Sequence, residues 1–291
     1  MKKTGERFIP GEQPYHGLIE IELEHYNRYY FVVNQLDISN KIVLDIASGE
    51  GYGSFILSKF AEKIIGVDIS QEAIKHASEK YQSENLKYVH GDATKVPLAD
   101  NSIDIIVSFE TIEHHDKHKE MMAELKRVLK PDGILIISSP DKYYFTELPK
   151  GIHDYHVKEL YYDEFKSLIN SSFKKSFFYS QKVFVGSIIA LDQTSEQYNK
   201  PVVVDEHGVS TEFHPIYNIA IATDDPSFKP ANNLVLYKQF DEFYTKKDVE
   251  TSFLKGENQG MLDVSAKLKS SKAYRLGSFL LKPFKVLRAF F

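Results

Sequence analysis

Residues 43–54 read Val-Leu-Asp-Ile-Ala-Ser-Gly-Glu-Gly-Tyr-Gly-Ser, and this stretch decides the fold. Val43 to Ile46 is a short apolar run, as expected of a strand buried on both faces of a parallel sheet. A turn with Gly49, Gly51 and Gly53 follows, and then the helix-like Ser54-Phe55-Ile56-Leu57. Strand, glycine turn and helix N-terminus together form a nucleotide-type site, because glycine lets the backbone approach a ligand closely. Such a turn alone is a weak signal. It is strengthened by Ile64-Ile65-Gly66-Val67-Asp68, a second strand ending in an acid. That acid follows Gly49 by roughly the 20 residues expected of a group that accepts from ribose hydroxyls.

Working outward, apolar runs and helical patterns alternate, which predicts a mostly parallel α/β sheet of Rossmann type. Strands are expected near 41–46, 63–68, 87–90, 103–108 and 134–139, and helices near 53–60, 71–81 and 118–129. Leu160–Ile169 reads as a further helix. Phe173–Tyr179 and Val183–Ala190 read as a closing strand pair, and Pro215–Ala222 as another strand. Ahead of the first strand, Gly17–Leu36 reads as a helix, and by fold-level analogy it would cover the ligand as a lid. The expected organisation is a lid segment (1–39), a ligand-binding core (40–190), an additional strand with an acceptor-side loop (191–245), and a connector with a C-terminal tail (246–291).

An apolar content of 42% is ordinary for a globular core. The absence of cysteine excludes disulfides, thiol catalysis and cysteine-ligated zinc. Basic residues at the N-terminus have no apolar run behind them, so no signal peptide is expected. No run approaches the roughly 18 apolar residues of a membrane span. The net charge is −5, and it is uneven. After Asp263 there is no acid, while Lys267, Lys269, Lys272, Arg275, Lys282, Lys285 and Arg288 are all basic, so the rest of the chain carries −12. An acidic body argues against a broad nucleic-acid surface. In the tail, Leu276, Phe279, Leu280, Phe284, Val286, Leu287, Phe290 and Phe291 share one half of a helical wheel, opposite Arg275, Lys282, Lys285 and Arg288. This is the pattern of an interfacial helix on anionic lipid, with Gly277 and Pro283 favouring two short pieces. A helix packed on a partner protein has the same pattern.

The glycine turn carries acids, Asp45 at its entrance and Glu50 in its middle. A pyrophosphate would be repelled there, whereas a ligand with a cationic amino acid portion, such as S-adenosylmethionine (SAM), would be favoured. Together with Asp68, the turn Gly91-Asp92-Ala93 and Pro131-Asp132-Gly133 before a fifth strand, the sequence resembles the class I SAM-dependent methyltransferases. The resemblance implies that Gly49, Gly51 and Gly53 line the methionine part of SAM. It implies that Asp45 faces the amino group, Asp68 the ribose and Ile69 one adenine face. Asp92 would accept from the adenine amino group beside Ala93, and Phe109 would complete the pocket.

Five of the eleven histidines lie in two segments, Glu110-Thr111-Ile112-Glu113-His114-His115 with His118, and His153-Asp154-Tyr155-His156. Glu110, Glu113 and His114 share one face of a helical turn. Two chemistries fit. A histidine, His114 or His156 with Glu113 beside it, would act as general base toward a hydroxyl. Alternatively, Glu110, Glu113, His114 and His156 would hold a divalent ion (Mg²⁺, Mn²⁺ or Fe²⁺) that lowers the acceptor's pKa. That spacing resembles the metal site of small-RNA 2′-O-methyltransferases and ubiquinone O-methyltransferases. A pocket-shaping role without metal is the third reading.

Within the class, Thr4 to Pro10, Glu24 to Tyr29, Ser108 to Asp116, Ile136 to Asp141 and His156 to Leu160 are similar to methyltransferases of bacterial surface-polysaccharide (O-antigen) clusters. That resemblance implies O-methylation of a sugar or sugar phosphate, with chain termination at the non-reducing end as one form. It implies a glycan acceptor, a glycosyltransferase partner, no nucleic acid, and a cytoplasmic enzyme peripheral at the inner face of the membrane through its tail. A small-molecule enzyme of the ubiquinone type and a non-catalytic membrane scaffold are the alternatives.

Overall fold

A computed structural model describes residues 18–183, 203–204, 210–211 and 215–231 of the chain. Its first helix, α1 (Leu18–Gln35), precedes β1 (Ile42–Ile46), α2 (Tyr52–Ser58), β2 (Lys63–Asp68), α3 (Gln71–Lys80) and β3 (Leu86–His90). Then come β4 (Ile103–Ser108), α4 (His118–Val128), β5 (Leu129–Pro140), α5 (Tyr162–Ser172) and β6 (Lys175–Gln181). A two-residue ribbon, β7 (Val203–Val204) with β8 (Ser210–Thr211), precedes β9 (Tyr217–Thr223). The membrane-facing tail expected after residue 246 lies outside the described residues, as does the acceptor-side loop apart from the ribbon. No described helix is long and apolar enough to cross a membrane.

Seven strands form one sheet in the order β3-β2-β1-β4-β5-β9-β6. The first five are parallel, and β9 runs antiparallel to both β5 and β6. The chain leaves β1 toward β2 and β3, then returns to place β4 on the other side, so a crevice opens beyond the ends of β1 and β4. The central strands read as continuous apolar runs because both faces are covered. Val43, Leu44, Ile64, Ile106, Val107 and Leu135 are fully buried. One face packs on α1 and α2 through Tyr29, Val32, Ile56 and Leu57. The other packs on α4 and α5 through Met121, Leu125, Phe165 and Ile169.

One pairing departs from the sequence reading. The hairpin partner of β6 is β9, with Phe177 opposite Ile221 and Gln181 opposite Tyr217, where Val183–Ala190 was expected. Val183 lies outside any strand, and 184–190 lies outside the described residues. Both segments are apolar and branched. What selects β9 is that Tyr217–Thr223 is buried at every position, which suits a strand between two others. The helix expected at 160–169 begins at Tyr162 instead, since Leu160 is held in a bridge to Asp141.

Candidate active site

The ends of β1, β2 and β3 form one half of the crevice. After β1 the chain turns sharply, with positive φ at Ala47 (58°), Gly49 (56°) and Gly51 (96°). The three glycines have different reasons to be glycine. At Gly51 a side chain would be strained by the backbone and would meet the Tyr88 hydroxyl at 2.6 Å. At Gly53 a Cβ would lie 1.9 Å from the Tyr29 ring, so this glycine admits α1 to the turn. Packing against α1 alone is enough to require glycine here.

Asp68, at the end of β2, is 4% exposed. Its carboxylate accepts from Gly49 N–H at 2.9 Å and Ser70 N–H at 2.8 Å, which ties the turn to β2. Ile69, next to it, is 65% exposed, a bare apolar side chain on the crevice rim. Asp92, after β3, accepts from the backbone and hydroxyl of Thr94 at 2.7 and 2.8 Å, and these bonds hold its pKa low. Ala93 is half-buried against the core.

Asp45 is buried under the turn and accepts from Ser54 Oγ at 2.6 Å and the Tyr29 hydroxyl at 3.3 Å. Burial outweighs these bonds and pushes its pKa up to about 7. Glu50 does not add to an acidic entrance, as its position in the turn had suggested. It is buried against α3, where it meets His76 at 3.0 Å, Lys80 at 3.4 Å and the Tyr81 hydroxyl at 3.3 Å. Its charge is spent on holding α3 to the turn.

The ends of β4, β5 and β9 form the other half. Phe109 packs edge-on against Tyr29, 5.2 Å between centroids. Glu110 has a positive φ of 48° and accepts from Ser138 Oγ at 2.5 Å. A 3₁₀ turn, Ile112–His114, then carries Glu113 and His114. The Glu113 carbonyl accepts from Val157 N–H at 2.8 Å and Lys158 N–H at 3.0 Å. Those bonds dock the loop after β5 and bring His156 beside His114, with ring centroids 5.3 Å apart. One ligand-type atom from each of Glu113, His114 and His156 lies within 4.8 Å of the others. Glu110 is absent from this group, because Ser138 and the Arg28 guanidinium, 3.8 Å away, draw its carboxylate elsewhere.

The cluster is poised for proton or metal chemistry. The Glu113 carboxyl is 1% exposed and its Oε2 has no partner among the described residues. Burial, and then the nearby Glu110 charge, raise its pKa well above the usual carboxylate range. His114 Nδ1 lies 3.0 Å from the Tyr155 carbonyl. A carbonyl only accepts, so a neutral His114 carries its proton on Nδ1 and keeps Nε2 as a base. His156 Nδ1 is bonded to Glu159, which also accepts from Thr146 Oγ1 at 2.7 Å. A carboxylate behind an imidazole fixes the tautomer and the ring orientation. Two imidazole nitrogens and one carboxyl suit a divalent transition metal such as Fe²⁺ or Mn²⁺ better than Mg²⁺, or they can serve as a base without metal.

His115 and His118 point elsewhere. His115 Nε2 meets the Met121 sulfur at 3.2 Å, and His118 Nε2 meets the His115 carbonyl at 2.8 Å. Burial lowers the pKa of both. His153 lies tilted against Phe145 at 4.5 Å between centroids and stacks on His156 at 5.0 Å.

The sequence reading assigned no role to Arg28, Tyr29, Gln181 or Tyr217. Arg28 is 1% exposed, donates from Nε to Gln181 Oε1 at 2.8 Å, and lies 4.3 Å over the Tyr217 ring. An available signal was Glu24 and Arg28, an i,i+4 charge pair in which Arg28 is the helix's sole basic residue besides His25.

Residues 44–137 match a family described as "Methyltransferase domain". A probable SAM-dependent methyltransferase of Mycolicibacterium smegmatis is 29% identical over 172 residues, covering 58% of this chain and 63% of that protein. One of Mycobacterium tuberculosis is 31% identical over 169 residues, covering 57% and 58%. The chain thus spans about three fifths of the length of these curated relatives. In fold, the YcgJ protein of Bacillus subtilis superposes with a TM-score of 0.51 at 19% identity, covering 69% of this chain and 99% of that one. Family match and relatives agree that residues 44–137 match a methyltransferase domain and that the chain is similar to SAM-dependent methyltransferases, while the sheet order and the superposition show the fold of that class.

Proposed function

We propose that the chain is an O-methyltransferase whose acceptor is a sugar hydroxyl, or a sugar phosphate, of a bacterial surface polysaccharide. Methylation at the non-reducing end, as a chain terminator, is one form of this reading. The observation that carries it is the grouping of Glu113, His114 and His156 at the end of β4, across the crevice from the turn and Asp68. SAM would lie over that turn, with Asp45 toward its amino group, Asp68 on the ribose, and Ile69 and Asp92 at the adenine. It supplies an electrophilic methyl group. The chain's own residues align the acceptor oxygen with it and take up the proton, through Nε2 of His114 or His156. Glu113, His114 and His156 would hold Fe²⁺ or Mn²⁺ if the enzyme uses one, which lowers the pKa of the acceptor hydroxyl. The resemblance to O-antigen methyltransferases supports the glycan. The basic amphipathic tail supports a peripheral position at the inner face of the membrane, beside a glycosyltransferase.

The test is label transfer from SAM to a panel of surface glycans, catechol-like phenols and RNA, each with and without EDTA. Label on glycan alone is expected. Loss of that label with EDTA identifies the three-residue group as a metal site, and retention identifies a histidine base. Label on phenols alone overturns the glycan reading in favour of a ubiquinone-type enzyme. No label, with SAM still bound, would leave the non-catalytic scaffold.

A further inference from the structure

His156 is the member of the acceptor-side group whose mount comes almost entirely from one loop. That loop follows β5 and is closed at its base, where Asp141 bridges Leu160 and Lys142 N–H donates to the Leu160 carbonyl at 3.1 Å. Its first half is a π-helical turn, Lys142–Glu147, and its second half carries His153, His156 and Glu159. The Glu113 carbonyl pins the second half through Val157 and Lys158. Phe145 and His153 stack on the His156 ring, 5.5 and 5.0 Å between centroids, and the His114 ring meets it edge-on at 5.3 Å. Stacking places the ring but does not distinguish its two edges. A hydrogen bond has to decide which nitrogen faces the group and which one carries the proton.

Glu159 supplies that bond. Its Oε1 accepts from the Thr146 hydroxyl at 2.7 Å and also meets His156 Nδ1. One oxygen therefore joins both halves of the loop and fixes the imidazole between them. The Glu159 side chain is 6% exposed, and among the described residues no lysine or arginine pairs with it. Burying a carboxylate is costly, and neutral groups would suffice to join two halves of a loop. The acid is accounted for by what it faces, an imidazole that must present one defined nitrogen. His114 is held differently. Its Nδ1 meets a backbone carbonyl, that of Tyr155, so its orientation depends on no other side chain's chemistry.

We propose that Glu159 is a positioning residue for methyl transfer: its Thr146-held oxygen fixes His156 with Nε2 turned toward Glu113 and His114. This rests on the reading of Glu113, His114 and His156 as the acceptor-side group, and adds the side chain that sets the geometry of one member.

The experiment uses the full chain, labelled with ¹⁵N at the histidine rings and saturated with S-adenosylhomocysteine. Long-range nitrogen–proton NMR at about pH 8.5, above the ordinary imidazole range, reads which ring nitrogen carries the proton. The His156 signals are those missing from His156→Gln. In the native chain His156 is expected as the Nδ1–H form alone. In Glu159→Ala the Nε2–H form should appear. Glu159→Gln should keep the native form, because the Thr146 hydroxyl donates to the amide oxygen and so turns that oxygen toward His156. Adding Thr146→Val to Glu159→Gln should release it. In turnover of the methylated glycan, kcat should fall by about ten- to a hundredfold in Glu159→Ala, with the glycan KM and SAM affinity near native, and Glu159→Gln should stay close to the native rate. If Glu159→Ala does not fold, Glu159→Gln with and without Thr146→Val decides, since both changes nearly conserve shape. The inference is overturned if Glu159→Ala keeps the native tautomer, if Glu159→Gln loses it, or if turnover falls through KM with kcat unchanged. Native kcat on glycan in Glu159→Ala sinks this inference alone. If the native chain methylates no glycan, the function reading beneath it fails, while the tautomers still decide whether Glu159 holds His156.

Discussion

The strands β1–β3 and the strands β4, β5 and β9 end on the same edge of one sheet, yet the two halves are built on opposite principles. On the β1–β3 side the polar groups are spent on the protein. Asp68 ties the turn to β2, Glu50 ties it to α3, and Asp92 closes its own turn with Thr94. On the β4–β9 side they are left open. Ser108, Glu113, His153 and Asn218 all keep buried polar atoms without partners among the described residues, against Ser48 in the glycine turn of the first half. The first half is a rigid bed made by one contiguous stretch and its neighbours. The second is assembled from α1, the β4 turn, the loop after β5, β6 and β9. Unmet donors and acceptors destabilise the free protein and become contacts only when a ligand arrives. The contrast fits a shared cofactor on one side and a selected acceptor on the other.

The sharpest way to break this contrast is at Asp68. Asp68→Ala removes two charge-assisted backbone bonds as well as the ribose acceptor. SAM affinity should fall by at least about a hundredfold, at roughly 1.5–3 kcal/mol for each bond to a charged group. Isothermal titration measures it, and micromolar binding in the variant would undo the rigid-bed reading.

A smaller, pH-dependent effect belongs to Asp45. Its pKa in the folded chain is about 7, raised from 3.8 by burial. A raised carboxyl pKa means that the folded chain holds a proton the unfolded chain has released. The stability this confers is complete below 3.8 and is lost as pH rises through 7. The ligand-free melting temperature should therefore decline across that range, and Asp45→Asn should flatten the decline. SAM binding runs the other way. If the cofactor's ammonium faces Asp45, affinity tightens with pH by up to about tenfold per unit below 7, with proton release. Calorimetry in buffers of different ionisation enthalpy reads that release. A slope that persists in Asp45→Asn assigns it to another group.

The smallest effect is expected at Ile69, which is 65% exposed. Ile69→Ala should leave stability within about 0.5 kcal/mol, as surface changes usually do. SAM affinity should still fall a few-fold, from lost apolar contact with the adenine. A thermal shift and a titration on the same sample separate the two. A variant that binds SAM unchanged removes Ile69 from the cofactor bed.

The two halves were also unequally legible. Ser70, two residues after Asp68, illustrates the easy case: it opens α3 by accepting from Ala73 N–H at 3.2 Å, a cap between residues three apart. The strand–turn–helix at 43–58, the acid at 68 and the turn at 91–93 are likewise local, so spacing alone predicts them. The Glu113–His114–His156 group was half legible. Glu113 and His114 are neighbours in sequence, whereas His156 joins them because the Glu113 carbonyl receives the 157–158 backbone. Arg28 was quoted as part of a run and given no role, since nothing in a helix pattern says that a guanidinium will be sealed against Tyr217, 189 positions away.

By itself, then, the sequence determined the order of strands and helices, the glycine turn, the acids at the strand ends, and the class of domain. Each depends on residues within one turn or one strand of each other, where backbone sterics and periodicity act. Only the tertiary structure decided that β9 pairs with β6, that Gly53 serves the Tyr29 ring, that Glu50 belongs to α3, and that Glu110 leaves the ligand group for Ser138 and Arg28. Those outcomes rest on burial and charge pairing between segments far apart in the chain. There the free energy of a side chain depends on what is packed against it, and spacing carries no record of that.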